Sequence, residues 1–292
     1  MFFLLGSIVL TSYLILSFKV VEKLGLNNLQ VIVFNYCTCV ITGSLFNKNF
    51  PVNAAATRED WFPWALAMGV IFIVLFNIIG FSAQRIGIAV TSVANKLSLV
   101  IPFLFSIYLY NEQATYAKIA GIVIALVAVV LTCYTKQETG PGIAKRSLWL
   151  YLLPIILFIG SGLLDTMIKY VEESFLDGTN NNDYITTAFF SAAVIGLVSL
   201  PIQWMIHKRP VNRKAILAGI AIGIPNYFSI WCLVQVLKQY QGNSSAILPI
   251  NNMGIVVFSA LVAWLVFKER LSVLNWLGVV LAVIAIALIA YG

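Results

Sequence analysis

The sequence predicts an all-α membrane protein of ten transmembrane helices, arranged as two inverted five-helix repeats. Three observations carry this prediction. Hydrophobic residues make up 61% of the 292 residues and charged residues only 10%, against about 25% charged in a typical soluble domain. Apolar runs of bilayer length follow one another with short connections. The second half of the chain also restates features of the first. A mean hydropathy of +0.94 points to lipid as the solvent, because a globular surface must leave polar groups in water.

The runs span residues 2–18, 28–46, 61–81, 88–110, 115–134, 148–171, 184–206, 214–237, 243–267 and 272–291. A bilayer core takes about 20 apolar residues per helix. Backbone in lipid must satisfy its own hydrogen bonds, so each run reads as a helix. The first run lacks a basic start and a small-residue cleavage site, so it reads as a retained span rather than a signal peptide. Only the connections 47–60, 136–147 and 172–183 are roomy. Trp61, Trp64, Trp149, Tyr151, Tyr184, Trp204 and Tyr291 fall near run ends, where amphipathic rings prefer the interface.

The net charge of +7 sits between the apolar runs, as loops at a membrane surface require, and gives no reason to expect a nucleic acid partner. Cys37, Cys39, Cys133 and Cys232 all lie in apolar stretches and read as small buried hydrophobes. The Cys37-x-Cys39 spacing is too short for a CxxC redox or zinc motif. No metal site and no cofactor are expected. The lone histidine, His207, sits in a basic loop, and no HExxH, paired intramembrane aspartates or P-loop is present, so an enzyme or an ATP-driven pump is not expected.

A shift of 157 residues lays 89–134 over 246–291 without a gap. Asn95 then meets Asn252, Glu112 meets Glu269, Gly121 meets Gly278, Ala125 meets Ala282, Ala128 meets Ala285 and Tyr134 meets Tyr291. A looser match sets Lys19-x-Val21-Glu22 over Lys169-x-Val171-Glu172. The halves are 1–138 and 147–292. Five spans per half is an odd number, so the second half enters the membrane with the opposite orientation. Secondary transporters with midplane binding sites are built this way.

Asn111-Glu112 and Lys268-Glu269-Arg270-Leu271-Ser272 each lead into a glycine-bearing helix, at Gly121 and Gly278. In this layout the chain resembles the drug/metabolite transporter superfamily, in its EamA-like branch, over nearly its whole length. The resemblance implies a basket of two inverted halves around a central cavity, lined mainly by spans 1, 3, 4, 6, 8 and 9. It also implies a transporter of amino acids or other metabolites, placed in the bacterial inner (plasma) membrane as a monomer or a homodimer.

Charges inside apolar runs are the most informative residues. Lys96 lies within Ser92-Val-Ala-Asn-Lys-Leu-Ser98. An ammonium near the bilayer centre costs at least about 2.5–3.5 kcal/mol, so it must face a cavity or a partner. It reads either as a substrate or coupling residue or as one member of a structural ion pair. Asp165 precedes Lys169 by one turn, so the two can meet; Asp165 can instead reach Lys96 if spans 4 and 6 adjoin. It is the candidate for proton coupling. Lys19 lies near a span end and can snorkel.

Asn95 and Asn252 are repeat mates and are expected to line the cavity, with Asn251 and Ser92 beside them. Asn226 and Asn77 are further polar candidates, whereas Asn35 reads as interhelical glue. The repeat fails where Lys96 meets Met253 and Ser92 meets Pro249. A site on a pseudo-symmetric axis must become asymmetric to hold one solute, so Lys96 is the selectivity candidate and implies an anionic or carboxylate-bearing substrate. Tyr227, Phe228 and Trp231 follow Pro225 and either wall the cavity or pack as ordinary core. Prolines 102, 154, 201, 225 and 249 can bend helices, and Pro225 and Pro249 are gating candidates. Gly121-xxx-Ala125, Gly278-xxx-Ala282 and Gly219-xxx-Gly223 have the small-xxx-small spacing that lets helix backbones approach.

Basic residues are unevenly shared. The odd-numbered connections carry Lys19, Lys23, Arg85, Lys136, Lys145, Arg146, Lys208, Arg209, Arg213, Lys214, Lys268 and Arg270, whereas the even ones hold Lys48, Arg58, Lys118 and Lys238. The positive-inside rule then puts both termini outside, while the resemblance implies both in the cytoplasm. The function expected is secondary transport of a small polar solute by alternating access. A non-transporting membrane scaffold is the alternative.

Overall fold

The structure is a computed structural model describing residues 2–50, 52, 56–110, 115–133, 148–176, 180–208, 210–239 and 244–291. Asn111, Glu112, Tyr134, Lys136, Lys145, Arg146 and Arg209 lie outside the described residues, as do the side chains of Cys133, Lys169, His207, Lys238 and Pro249. Among the described residues eleven helices run in chain order: α1 Phe2–Lys23, α2 Asn28–Asn47, α3 Phe62–Arg85, α4 Ile88–Leu97, α5 Val100–Tyr110, α6 Tyr116–Cys133, α7 Leu148–Phe175, α8 Asn181–His207, α9 Arg213–Gln239, α10 Ser244–Leu265 and α11 Val273–Tyr291. A 3-10 turn at Ala56–Arg58 precedes α3. No strand occurs among the described residues.

Among the described residues seven segments are long and apolar enough to cross a membrane, and three shorter apolar helices, Tyr116–Thr132, Ile250–Leu265 and Val273–Ile289, accompany them. Their outer faces expose large apolar side chains such as Val123, Val130, Ile155, Val198 and Val280. Water would not tolerate such a surface, and lipid requires it. The chain is an integral, multi-pass α-helical membrane protein.

The helices take their ends from local chemistry. The Asn27 side chain accepts from the Gln30 N–H at 3.2 Å and caps α2. Lys48 and Lys208 close α2 and α8 in the left-handed conformation, at φ 54° and 50°. The expected fourth span, 88–110, is broken at Ser98 and Leu99 into α4 and α5. The cause is Pro102. It has no N–H to give to the Ser98 carbonyl four residues earlier, and that carbonyl instead takes the Ile101 N–H at 2.9 Å.

Side-chain contacts sort the helix ends to two ends of the bundle. Phe3 meets Trp231 and Phe46 meets Trp231 at one end, with Trp61 against Tyr184 and Trp64 against Tyr170 and Phe175. At the other end Lys19 Nζ donates to the Gln84 carbonyl, Gln30 to the Pro210 carbonyl and Gln203 to Asn27. The first end is rich in aromatic contacts; the second holds these directed hydrogen bonds, with Trp264 against Trp276 at its α10–α11 connection.

Close packing follows the small residues. A Cβ on Gly121 would lie 3.0 Å from the Ala285 carbonyl, and one on Gly278 2.7 Å from the Thr132 nitrogen, so α6 and α11 touch backbone to backbone. Ala125, Ala128, Ala282 and Ala285 are fully buried between them. Gly219 and Gly223 bring α9 equally close to Asn35 on α2.

Candidate functional site

The broken span positions the site. Helix α4 packs between α10 and α7, and α5 lies on α7. Gly162 lets this happen, because a Cβ there would come within 2.6 Å of Ile101 Cβ. One turn further along α7, Asp165 faces α4. The Ser98 hydroxyl, in the break, stands 2.5 Å from the Asn95 carbonyl and 3.3 Å from Asp165 Oδ2. It has one proton and serves one of these acceptors at a time.

Lys96 and Asp165 are both half-buried and attract each other across the α4–α7 contact. They do not close into an ion pair. Among the described residues the ionic contact within 4.0 Å is Lys19–Glu22, at 2.9 Å. The site therefore holds two opposite charges from different halves of the chain, near each other and not locked together. Of the two partners open to Asp165, the structure brings up Lys96. The Lys169 side chain is outside the described residues.

Around this pair the polar candidates divide. Ser92, fully buried on α4, and Asn251, 3% exposed on α10, each have a side-chain oxygen without a hydrogen-bond partner. Asn95 and Asn252 are half-buried, and no hydrogen bond joins them. Met253, the repeat mate of Lys96, packs into the apolar cluster formed by α4, α6, α10 and α11. Asn77 turns back to its own helix, donating to the Ile73 carbonyl at 2.7 Å.

The α9 candidates sit elsewhere. The Asn226 amide donates to Asn35 Oδ1 at 3.1 Å, deep between α9 and α2. The Tyr227 hydroxyl donates to Asn47 Oδ1 at 3.4 Å. Trp231 stands edge-to-face with Phe3, Phe46 and Phe228. Pro225 lies inside an α9 that remains one helix, and the Pro249 side chain is outside the described residues. An apolar groove of about 270 Å³ between α10 and α11, lined by Val257, Leu261, Trp276 and Val280 among others, carries no charged group.

Sequence reasoning noted Ser98 only as the end of a polar stretch and passed over Gly87. The signal for Ser98 was Pro102, four residues on. Gly87 precedes α4 with φ +102°, a conformation that favours glycine. Across it lies Glu269, whose two carboxylate oxygens accept the Ile88 N–H at 2.9 and 3.0 Å.

Fold and site together define an integral multi-pass helical membrane protein with opposite charges set inside its bundle. The model of the EamA-like transporter family matches residues 147–291. The chain belongs to that family, a family of membrane transporters of small molecules. It is 27% identical over 278 residues to an uncharacterized protein of Haemophilus influenzae, covering 94% of this chain and 92% of that one. A solved crystal structure superposes with a TM-score of 0.63, covering 98% of this chain and 95% of that chain at 15% identity. The likeness to that structure concerns the fold.

Proposed function

We propose that this protein is a secondary transporter that moves a small polar, amino-acid-like or anionic metabolite by alternating access. The observation that carries the reading is the unlocked Lys96–Asp165 pair beside the α4–α5 break. Charges inside a membrane protein mark substrate and ion pathways. Broken helices expose backbone groups where a cavity needs them. Lys96 offers a positive charge to a carboxylate, and Asp165 a negative charge to an amino group. Ser92, Asn95, Asn251 and Asn252 supply neutral polar groups on the two facing helices, α4 and α10.

The architecture we propose is ten spans in two inverted halves, 1–138 and 147–292, around a central cavity. Counting α4 and α5 as one broken span, the seven long segments and three shorter helices make ten. The alternation of helix ends between the aromatic and polar ends supports that count. The bacterial relative supports placement in the inner membrane. We take the working unit as a monomer or a homodimer.

The test is uptake by proteoliposomes of a panel of labelled amino acids, carboxylates and sugar phosphates, preceded by a thermal-shift screen of the same compounds. Lys96→Ala is expected to abolish uptake while the protein still elutes as a folded species. Uptake at the parent rate by that variant overturns the assignment.

A further inference from the structure

The N-terminus of α4 lacks a cap of its own. Gly87 has no side chain to accept from the first free N–H groups, which a helix start must satisfy somehow. They are satisfied from 181 residues away. Glu269 Oε1 and Oε2 both accept the Ile88 N–H, and the Ala89 N–H lies within electrostatic reach of the carboxylate. Placing a carboxylate there also suits the positive end of the helix dipole. A Cβ on Gly87 would stand 3.1 Å from Oε2 and would have to adopt φ +102°, so the glycine opens the seat that the carboxylate fills.

The connection that presents Glu269 is itself pinned. Lys268 takes the left-handed conformation at φ 53°, and the Glu269 N–H donates to the Ala263 carbonyl at 3.0 Å, closing α10. The Ser272 N–H and hydroxyl donate to Asn275 Oδ1, and the Asn275 amide donates to the Thr132 carbonyl at 2.7 Å, tying the connection to α6. Lys23 lies over the Phe267 ring, 5.1 Å from its centroid. Lys19 sits within electrostatic reach of Glu269.

We propose that Glu269 is a positioning residue for the transport site: capping α4 from the other half of the chain, it fixes the helix that carries Ser92, Asn95 and Lys96 and holds this end of the molecule closed. The idea rests on the alternating-access reading above, but its test needs no substrate. Spin labels replace Arg85 and Arg270, both exposed at this end, in a full chain freed of its native cysteines. Pulsed-dipolar distances are measured in liposomes. Glu269→Ala removes both acceptors and is expected to raise the ratio of long to short distances about tenfold, the effect of leaving a buried N–H without an acceptor. Glu269→Gln keeps one acceptor oxygen and is expected to shift the ratio less. If Glu269→Ala does not fold, Gly87→Ala crowds the same seat and must lengthen the distances. The parent distribution in the variant measured overturns the proposal. A distance shift without solute uptake by the parent protein sinks the transport reading alone.

Discussion

Lys96 and Asp165 bring opposite charges from α4 and α7 into one half-buried space without closing to ion-pair contact. Removing one partner leaves the other charge poorly solvated. Both groups keep some exposure, so Lys96→Met or Asp165→Leu alone should lower stability by about 1–3 kcal/mol, less than the ~3–5 of a fully buried pair. The double variant should recover much of that loss in a denaturation assay and recover no uptake. Restored uptake would reduce the pair to scaffolding. Asp165→Asn, a milder change, should remove the dependence of uptake on a pH gradient, and unchanged dependence would count against proton coupling there. Lys96 was legible because a charge in an apolar run is costly wherever it points. The direction of Asn226 was not: its residue type is the same whether it lines a cavity or, as here, binds Asn35 on α2.

At the scale of elements, the break between α4 and α5 sets the site, and Pro102 makes the break. Pro102→Ala would return an N–H to the Ser98 carbonyl and let one helix run through. We expect uptake to fall while the thermal midpoint holds or rises, and a loss of both would point to a folding defect instead. The clasp at the start of α4 carries a pH sign opposite to intuition. Burial raises the Glu269 carboxyl above its ordinary range, and the Ile88 and Ala89 N–H groups and Lys19 offset this only in part. Opened to water, it returns to the ordinary value near ~4.3. The closed form therefore holds the proton more tightly, and acidification through the window just above ~4.3 should favour closure. Distances between labels at 85 and 270 should shorten or hold as pH falls from 7 to 5; lengthening would show that the charge itself fastens the clasp. Hydrophobic runs revealed the spans but not the break, because the run 88–110 keeps bilayer length across residues 98 and 99. Nor is a cap supplied from 181 residues away a local pattern, although Glu269 and Gly87 are both plain in the sequence.

For the whole molecule, the two ends differ in kind. Where Phe3, Phe46, Phe228 and Trp231 meet, the halves touch through rings in edge-to-face contact. Where Gln30 meets Pro210 and Asn212, and where Ile88 meets Glu269, they touch through directed hydrogen bonds. The polar end also carries Lys23, Arg85, Arg213, Lys214, Lys268 and Arg270, whereas Arg58 and Lys48 lie toward the aromatic end. Basic loops stay on the cytoplasmic face because translocating them is unfavourable, so the polar end should face the cytoplasm and the aromatic end, with both termini, the outside. Two positions decide this, Lys214 and Arg58, both exposed. In a chain without its native cysteines, a membrane-impermeant maleimide added to intact cells should label Arg58→Cys and leave Lys214→Cys untouched until the membrane is broken. The reverse pattern would place the termini in the cytoplasm and the Glu269 clasp on the outer face.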